Sequence, residues 1–105
     1  MLDFYFCDDA GDFDSPDESC YCRSLSLAEH NLIQNILQEC ERHGCGVNMF
    51  TDVTLSPQQV MDAVLFFERS AANVANSEAT RVYQAMLSTL REAAARKTGI
   101  HGFAD

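Results

Sequence analysis

Residues 55–69 read LSPQQVMDAVLFFER, and they predict a helix start more clearly than any other part of the sequence. Ser56 supplies an N-cap oxygen, Pro57 occupies the first helical position, where no backbone amide is needed, and Gln59 completes a capping box. Leu55 and Val60 are spaced to pack on each other across the helix start. The apolar residues that follow recur at helical spacing and predict one broad buried face: Val60, Val64, Phe67, Ala71 and Val74, widened by Met61 and Leu65.

Two further helices are predicted, one on each side of this segment. Ser26 and Glu29 have the spacing of a second capping box, and the apolar pattern after them runs to Gly44, which suits the left-handed position that closes many helices. The last helix begins at Asn76 or Ser77. Its predicted core face comprises Val82, Tyr83, Met86, Leu87, Leu90 and Ala94.

Short β-strands are predicted around the first helix. Residues 2–7 and 19–23 are rich in aromatic residues and cysteine, and pairing them makes a β-hairpin with residues 8–18 as its loop. A two-stranded hairpin is marginally stable alone, so a third short strand over residues 47–51 is predicted to join it.

The predicted fold is therefore α+β, with three main helices packed with a small antiparallel sheet or an N-terminal β-hairpin. The 105 residues form a single domain, a length that allows one modest core. Within it, residues 1–25 are the hairpin with its acidic loop, residues 26–98 the helical body and residues 99–105 a loosely attached tail.

Charge is concentrated near the start of the chain. The net charge is −9, and residues 1–24 hold seven acids against Arg23 alone. Six of those acids lie in one run without a basic residue: Asp8, Asp9, Asp12, Asp14, Asp17 and Glu18. Such a field repels phosphate backbones and anionic lipids, so neither nucleic acid nor a membrane is expected as a partner.

The acidic run is the candidate partner-binding site. Its carboxylates would meet Lys and Arg of a basic protein, and Phe13 in their midst would serve as an apolar anchor. The alternative is an ordinary solvated, mobile loop. Calcium is disfavoured because the spacing fails: counted from Asp8, the third position of an EF-hand loop is Ala10, and counted from Asp12 the fifth is Pro16.

Five cysteines raise a second possibility, a zinc site. Its candidate ligands are Cys20 and Cys22 together with Cys40, His43 and Cys45, since thiolates and imidazole suit tetrahedral zinc. The spacing matches no recurrent zinc pattern, and Cys40 falls on the apolar stripe of the first helix, so buried free thiols are the favoured interpretation. No cofactor is expected.

Nothing in the sequence indicates catalysis. It contains no Gly-x-Ser-x-Gly, no phosphate-binding glycine-rich loop and no His-Glu-x-x-His. Carboxylates in a hydrophilic loop lack the desolvation that would shift their pKa values toward acid–base work. The chain is therefore predicted not to be an enzyme.

A short acidic chain of this kind resembles, at the level of class, the immunity proteins that bacteria keep beside secreted or contact-delivered toxins. The matching features are the run from Asp8 to Glu18, the absence of an export signal and the compact three-helix body. The lack of an export signal and the odd number of cysteines lead us to expect a cytoplasmic protein. The resemblance implies that its acidic surface occludes the basic active cleft of a toxin domain. A further alternative is a regulatory or assembly subunit that forms a homodimer through a helix face, with Phe66 exposed for that contact.

Overall fold

The computed structural model describes residues 1–7, 20–47 and 51–104. Over these ranges the chain forms β1 (Leu2–Cys7), β2 (Tyr21–Leu25), α1 (Leu27–Leu32), α2 (Gln34–Arg42), β3 (Val53–Leu55), α3 (Pro57–Arg69), α4 (Ser77–Arg96) and β4 (Gly99–Ala104). A 3-10 turn at Ala71–Asn73 follows α3. The predicted α+β class is confirmed.

The four strands form one antiparallel sheet in the order β2-β1-β4-β3. The predicted pairing of the first two strands is confirmed, although β2 bulges where the register shifts between Phe4 and Tyr5. The prediction of a loosely attached tail over residues 99–105 is wrong. β4 pairs with β1 along its whole length, from Leu2↔Ala104 to Cys7↔Gly99, and with β3 on its other side. Its partners lie far away in sequence, so no local pattern announces this strand.

The third strand lies later in the chain than predicted. Of the predicted residues 47–51, residues 48–50 lie outside the described part, while Val47 and Thr51 belong to no strand. β3 occupies Val53–Leu55 instead. Leu55, expected only to pack at the helix start, is also the buried end of this strand.

The first predicted helix is divided in two at Ile33. Ser26 caps α1 through the predicted capping box, but the chain turns at Ile33, whose amide donates to the His30 carbonyl oxygen at 3.2 Å. Ile33 is fully buried, so the turn directs an apolar side chain into the core. Gly44 adopts φ +79° after α2, as predicted for the residue that closes this segment.

The helix predicted from residue 56 begins as expected, with Ser56 and Gln59 forming both bonds of the capping box. Its buried face is narrower than predicted. Met61 and Leu65 are each 52% exposed, because they lie on the side of α3 that turns away from the core. α3 also ends at Arg69, before the predicted Ala71 and Val74.

α4 is the longest helix and begins after the predicted cap, Asn76, whose side chain accepts from the Ala79 amide. Its end is closed by Lys97 at φ +58°. The Tyr83 hydroxyl donates to the Phe67 carbonyl oxygen and so ties α4 to α3. Among the described residues, no helix combines the length and apolar character needed to cross a bilayer.

Alternation along the strands gives the sheet two different faces. The inner face packs against the helices and supplies six buried residues: Leu2, Phe4, Phe6, Leu25, Leu55 and Ile100. Six residues that alternate with them lie on the outer face: Asp3, Tyr5, Ser24, Thr54, His101 and Phe103. The outer face is therefore the side of the sheet turned away from this core.

Candidate functional site

The predicted partner-binding residues lie outside the described residues. They are Asp8, Asp9, Asp12, Phe13, Asp14, Asp17 and Glu18. In the sequence, the acidic run follows directly after the last residue of β1, and the described chain resumes at Cys20, just before β2. The strands on either side of the run, β1 and β2, pair with each other in the sheet.

Two rows of side chains cross the outer face. Tyr21, Tyr5, His101 and Thr54 form one row over all four strands, because Tyr5 pairs with Tyr21 and His101, and His101 with Thr54. In the neighbouring row Asp3 pairs with Ser24 on one side and Phe103 on the other. The register thus brings residues from both ends of the chain onto one surface.

The rings on this face form an aromatic cluster, which consists of Tyr5, Tyr21, His101 and Phe103. The Tyr5 ring centroid lies 5.5 Å from that of Tyr21 and 5.6 Å from that of Phe103, with interplanar angles of 68° and 79°. His101 and Phe103 approach to 4.3 Å. Edge-to-face pairs at these distances stabilise aromatic clusters beyond simple area burial. Tyr21, at the sheet edge, is 46% exposed.

A hydrogen-bond chain borders the cluster on the β2 side. The Ser24 hydroxyl donates to Asp3 Oδ1 at 2.5 Å, and Tyr21 Oη lies 2.7 Å from Ser24 Oγ. An ionised carboxylate only accepts and a serine hydroxyl has a single proton, so Tyr21 must donate to Ser24. The chain therefore runs from Tyr21 through Ser24 to Asp3. Within the described part of the chain, no hydrogen bond reaches the other carboxylate oxygen of Asp3, Oδ2.

At the opposite side of the face, His101 Nδ1 and Thr54 Oγ1 are 2.6 Å apart. Burial lowers the pKa of His101, partly offset by the negative charge of Asp52. The imidazole is therefore neutral at pH 7, and its Nδ1 can accept the Thr54 proton. Asp52 itself accepts from the Ala104 amide at 2.8 Å and secures the end of β4.

The charge on the outer face has one sign. The outward positions of the described strands include the acidic Asp3 and no lysine or arginine. Arg23 pairs with the buried Phe4 and therefore belongs to the inner side of β2. The other basic residues of the chain lie on or just after helices: Arg42, Arg69, Arg81, Arg91, Arg96 and Lys97. The outer face is thus suited to a cationic group.

The zinc candidates are not brought into one site. Cys45 donates to the Cys40 carbonyl oxygen at 3.4 Å, and burial raises the pKa of both thiols, that of Cys40 to about 12. Cys22 lies beside Arg96, and burial raises its pKa to about 12 as well. Across the described residues, no group of three or more His, Cys, Asp or Glu side chains is placed to hold a metal.

A groove of about 590 Å³ lies between the ends of α2 and α3. His43 stacks on Phe66 with centroids 4.3 Å apart, and its Nε2 is 3.3 Å from a Glu39 oxygen. Phe66 is therefore partly buried against His43, so it is less exposed than predicted. A homodimer formed through a helix face stays a prediction. Arg42 and Arg69 stand at the C-terminal ends of their helices, where cations offset the helix dipole. This role accounts for the positive charges around the groove.

The sequence contained part of the signal for the outer face. In residues 2–6 the apolar Leu2, Phe4 and Phe6 alternate with Asp3 and Tyr5, which indicates a strand with two different faces. His101 and Phe103 lie in the segment predicted to be a tail, so the sequence did not indicate their place on this face.

Comparisons of this chain with protein-family models, with curated proteins and with solved structures found no match.

Proposed function

We propose that this protein is a non-enzymatic binding domain for a basic protein partner, which it contacts through the outer sheet face and the adjoining acidic run. The observation that carries the proposal is the combination on one surface of an aromatic cluster with a carboxylate and no basic side chain among the outward positions of the described strands. Aromatic residues dominate the binding energy of many protein interfaces, and complementary charge directs the encounter.

Charge supports a cationic partner. The net charge is −9, and seven of the acids lie among residues 1–24, the part of the sequence that contains β1 and most of β2. A negative field raises the association rate with a basic surface and falls in effect as salt screens it. Charge thus governs how fast the partner arrives, while the aromatic cluster supplies apolar contact once it has docked.

The resemblance to immunity proteins suggests the kind of partner, a bacterial toxin domain with a basic active cleft. Inhibition would then need no chemistry, because a docked acidic domain keeps the substrate out of the cleft. Apolar contacts at the centre of such an interface slow dissociation, and charges at its rim speed association.

The first test measures binding of an arginine- and alanine-containing basic peptide to the immobilised protein at low and high salt. The combined substitution Asp12→Ser, Phe13→Ala and Asp14→Ser should weaken binding at least tenfold without lowering the melting temperature. High salt should slow association with the unaltered protein. The matched control, Glu41→Gln with Glu78→Gln, also removes two negative charges, but from helical positions.

Unchanged affinity in the triple variant would reject the acidic run as a contact. Equal loss in the control would mean that only net charge matters. Mapping the bound peptide by backbone amide shifts tests the face itself: shifts should concentrate at Tyr5, Tyr21 and Phe103, and shifts confined to α2–α4 would reject the outer face.

A second candidate is a homodimeric subunit, favoured by the exposure of Met61 and Leu65. These residues lie one turn apart on α3 and present an apolar pair to solvent. Sedimentation equilibrium distinguishes the two candidates, since Met61→Ser with Leu65→Ser should convert a dimer into a monomer but leave binding of a basic peptide unchanged.

A further inference from the structure

We propose that the β1–β2 side of the outer face is a subsite for a single arginine side chain, built from Asp3, Tyr21 and Tyr5. This inference depends on the proposed function and specifies the group that the partner inserts. It does not involve the acidic run, so the two can be tested apart.

Asp3 supplies the charge and a fixed orientation. The chain from Tyr21 through Ser24 holds Oδ1, and Oδ2 has no hydrogen bond within the described residues. A guanidinium group presents a planar fork of N–H donors that can bond both oxygens of one carboxylate. Because Oδ1 accepts only one proton from Ser24, it retains capacity for a second donor. A side chain already held in place loses little further freedom when it binds.

Aromatic rings lie next to this carboxylate. Tyr5 is two residues along the same strand and on the same face, and Tyr21 pairs with Tyr5 across the β1–β2 ladder. The hydrogen-bond chain through Ser24 holds Tyr21 close to Asp3. Tyr21 is 46% exposed and packs against Tyr5 at 68°, so a cation bound at Asp3 lies beside an exposed aromatic side chain. Cations are attracted to aromatic faces, and a guanidinium also stacks on them.

Arginine fits this arrangement better than lysine. A lysine ammonium is a compact and strongly hydrated point charge that cannot make two parallel bonds to a carboxylate while lying flat on a ring. The subsite offers both contacts side by side on one strand pair. Recognition should therefore depend on the shape of the guanidinium in addition to its charge.

The experiment titrates the protein with N-acetyl-arginine amide and, separately, with N-acetyl-lysine amide, while backbone amide shifts are recorded. We expect weak saturable shifts at Asp3, Tyr21 and Ser24 with the arginine compound, with a dissociation constant on the order of millimolar. Asp3→Asn should weaken this binding about tenfold or more, because a charge-assisted pair is lost. Tyr21→Ala should weaken it about threefold, while Tyr21→Phe, which keeps the ring, should have a smaller effect.

Asp62→Asn on α3 is the matched control, since it removes one carboxylate charge away from the sheet and should leave the arginine titration unchanged. Equal shifts with the lysine compound would overturn the assignment of arginine. Shifts that are absent from β1 and β2, or that survive Asp3→Asn, would overturn the subsite. Either result leaves the proposed function to be decided separately by the salt dependence and the triple variant of the acidic run.

Discussion

The two faces of the sheet differ in the interactions that their side chains make. The buried core of the inner face consists of aliphatic and phenylalanine side chains, whereas the outer face combines partly buried rings with hydrogen-bonded polar groups. Apolar burial contributes about 25 cal/mol per Å², while exposed polar pairs contribute little net stability. Stability is therefore expected to depend on the inner face, and recognition on the outer one.

Phe4→Ala tests most directly whether stability depends on the inner face. Phe4 is 1% exposed at the centre of the inner face, so its truncation loses apolar burial and leaves a cavity. We expect a loss of about 3–5 kcal/mol in the free energy of unfolding, measured by urea denaturation. A loss below about 1 kcal/mol would mean that this face is not the main source of stability.

A second test adds volume to the same face through Gly102→Ala. A Cβ at Gly102 would lie 3.0 Å from Val53 Cγ1, 3.3 Å from Phe4 Cε1 and 3.4 Å from Leu2 Cδ1. Overpacking of this kind costs about 1–3 kcal/mol. Thermal unfolding should show a lower melting temperature, and the loss should shrink when Val53→Ala is combined with it, since the closest contact is then removed.

Protonation of His101, on the outer face, should change the free energy of unfolding by less than either of these core substitutions. Burial lowers its pKa in the folded state below the ordinary value of 6.5, so the unfolded chain takes up the proton first as pH falls. The contribution of neutral His101 to the free energy of unfolding should therefore be complete above about pH 6.5. It should decline as the pH falls from there toward the folded pKa. Urea denaturation of the unaltered protein and of His101→Gln over this range checks the sign, because the variant should lose part of the slope. A slope in the opposite direction that disappears in the variant would contradict the pKa shift.

The smallest effect is expected for Tyr21→Phe. The change removes the hydroxyl that donates to Ser24 but keeps the ring against Tyr5. Because Tyr21 is exposed, the free energy of unfolding should change by less than about 0.5 kcal/mol. A change comparable to that of Phe4→Ala would remove the distinction between the two faces.

Local capping signals in the sequence correctly predicted where helices begin. The capping boxes at Ser26 and Ser56 and the Asn76 cap each start a helix where expected, because a cap acts on amides within three residues of it. The strand at β4 could not be predicted in this way, since its partners β1 and β3 both lie far away in sequence and its two glycines weaken the strand pattern. The outer face depends on that strand, so only the half contributed by Asp3 and Tyr5 was within reach of the sequence. The contribution of the acidic run remains a prediction.

The position of β4 between β1 and β3 also concerns how the protein is made. β1 is synthesised before β4, yet it pairs with β4 along its whole length. During translation the edge of β1 that faces β4 therefore stays without this partner until Ala104 has left the ribosome. Such long-range pairing is slow to form and leaves apolar strands uncovered in the meantime. The growing chain is thus exposed to chaperones and to aggregation until β4 has paired.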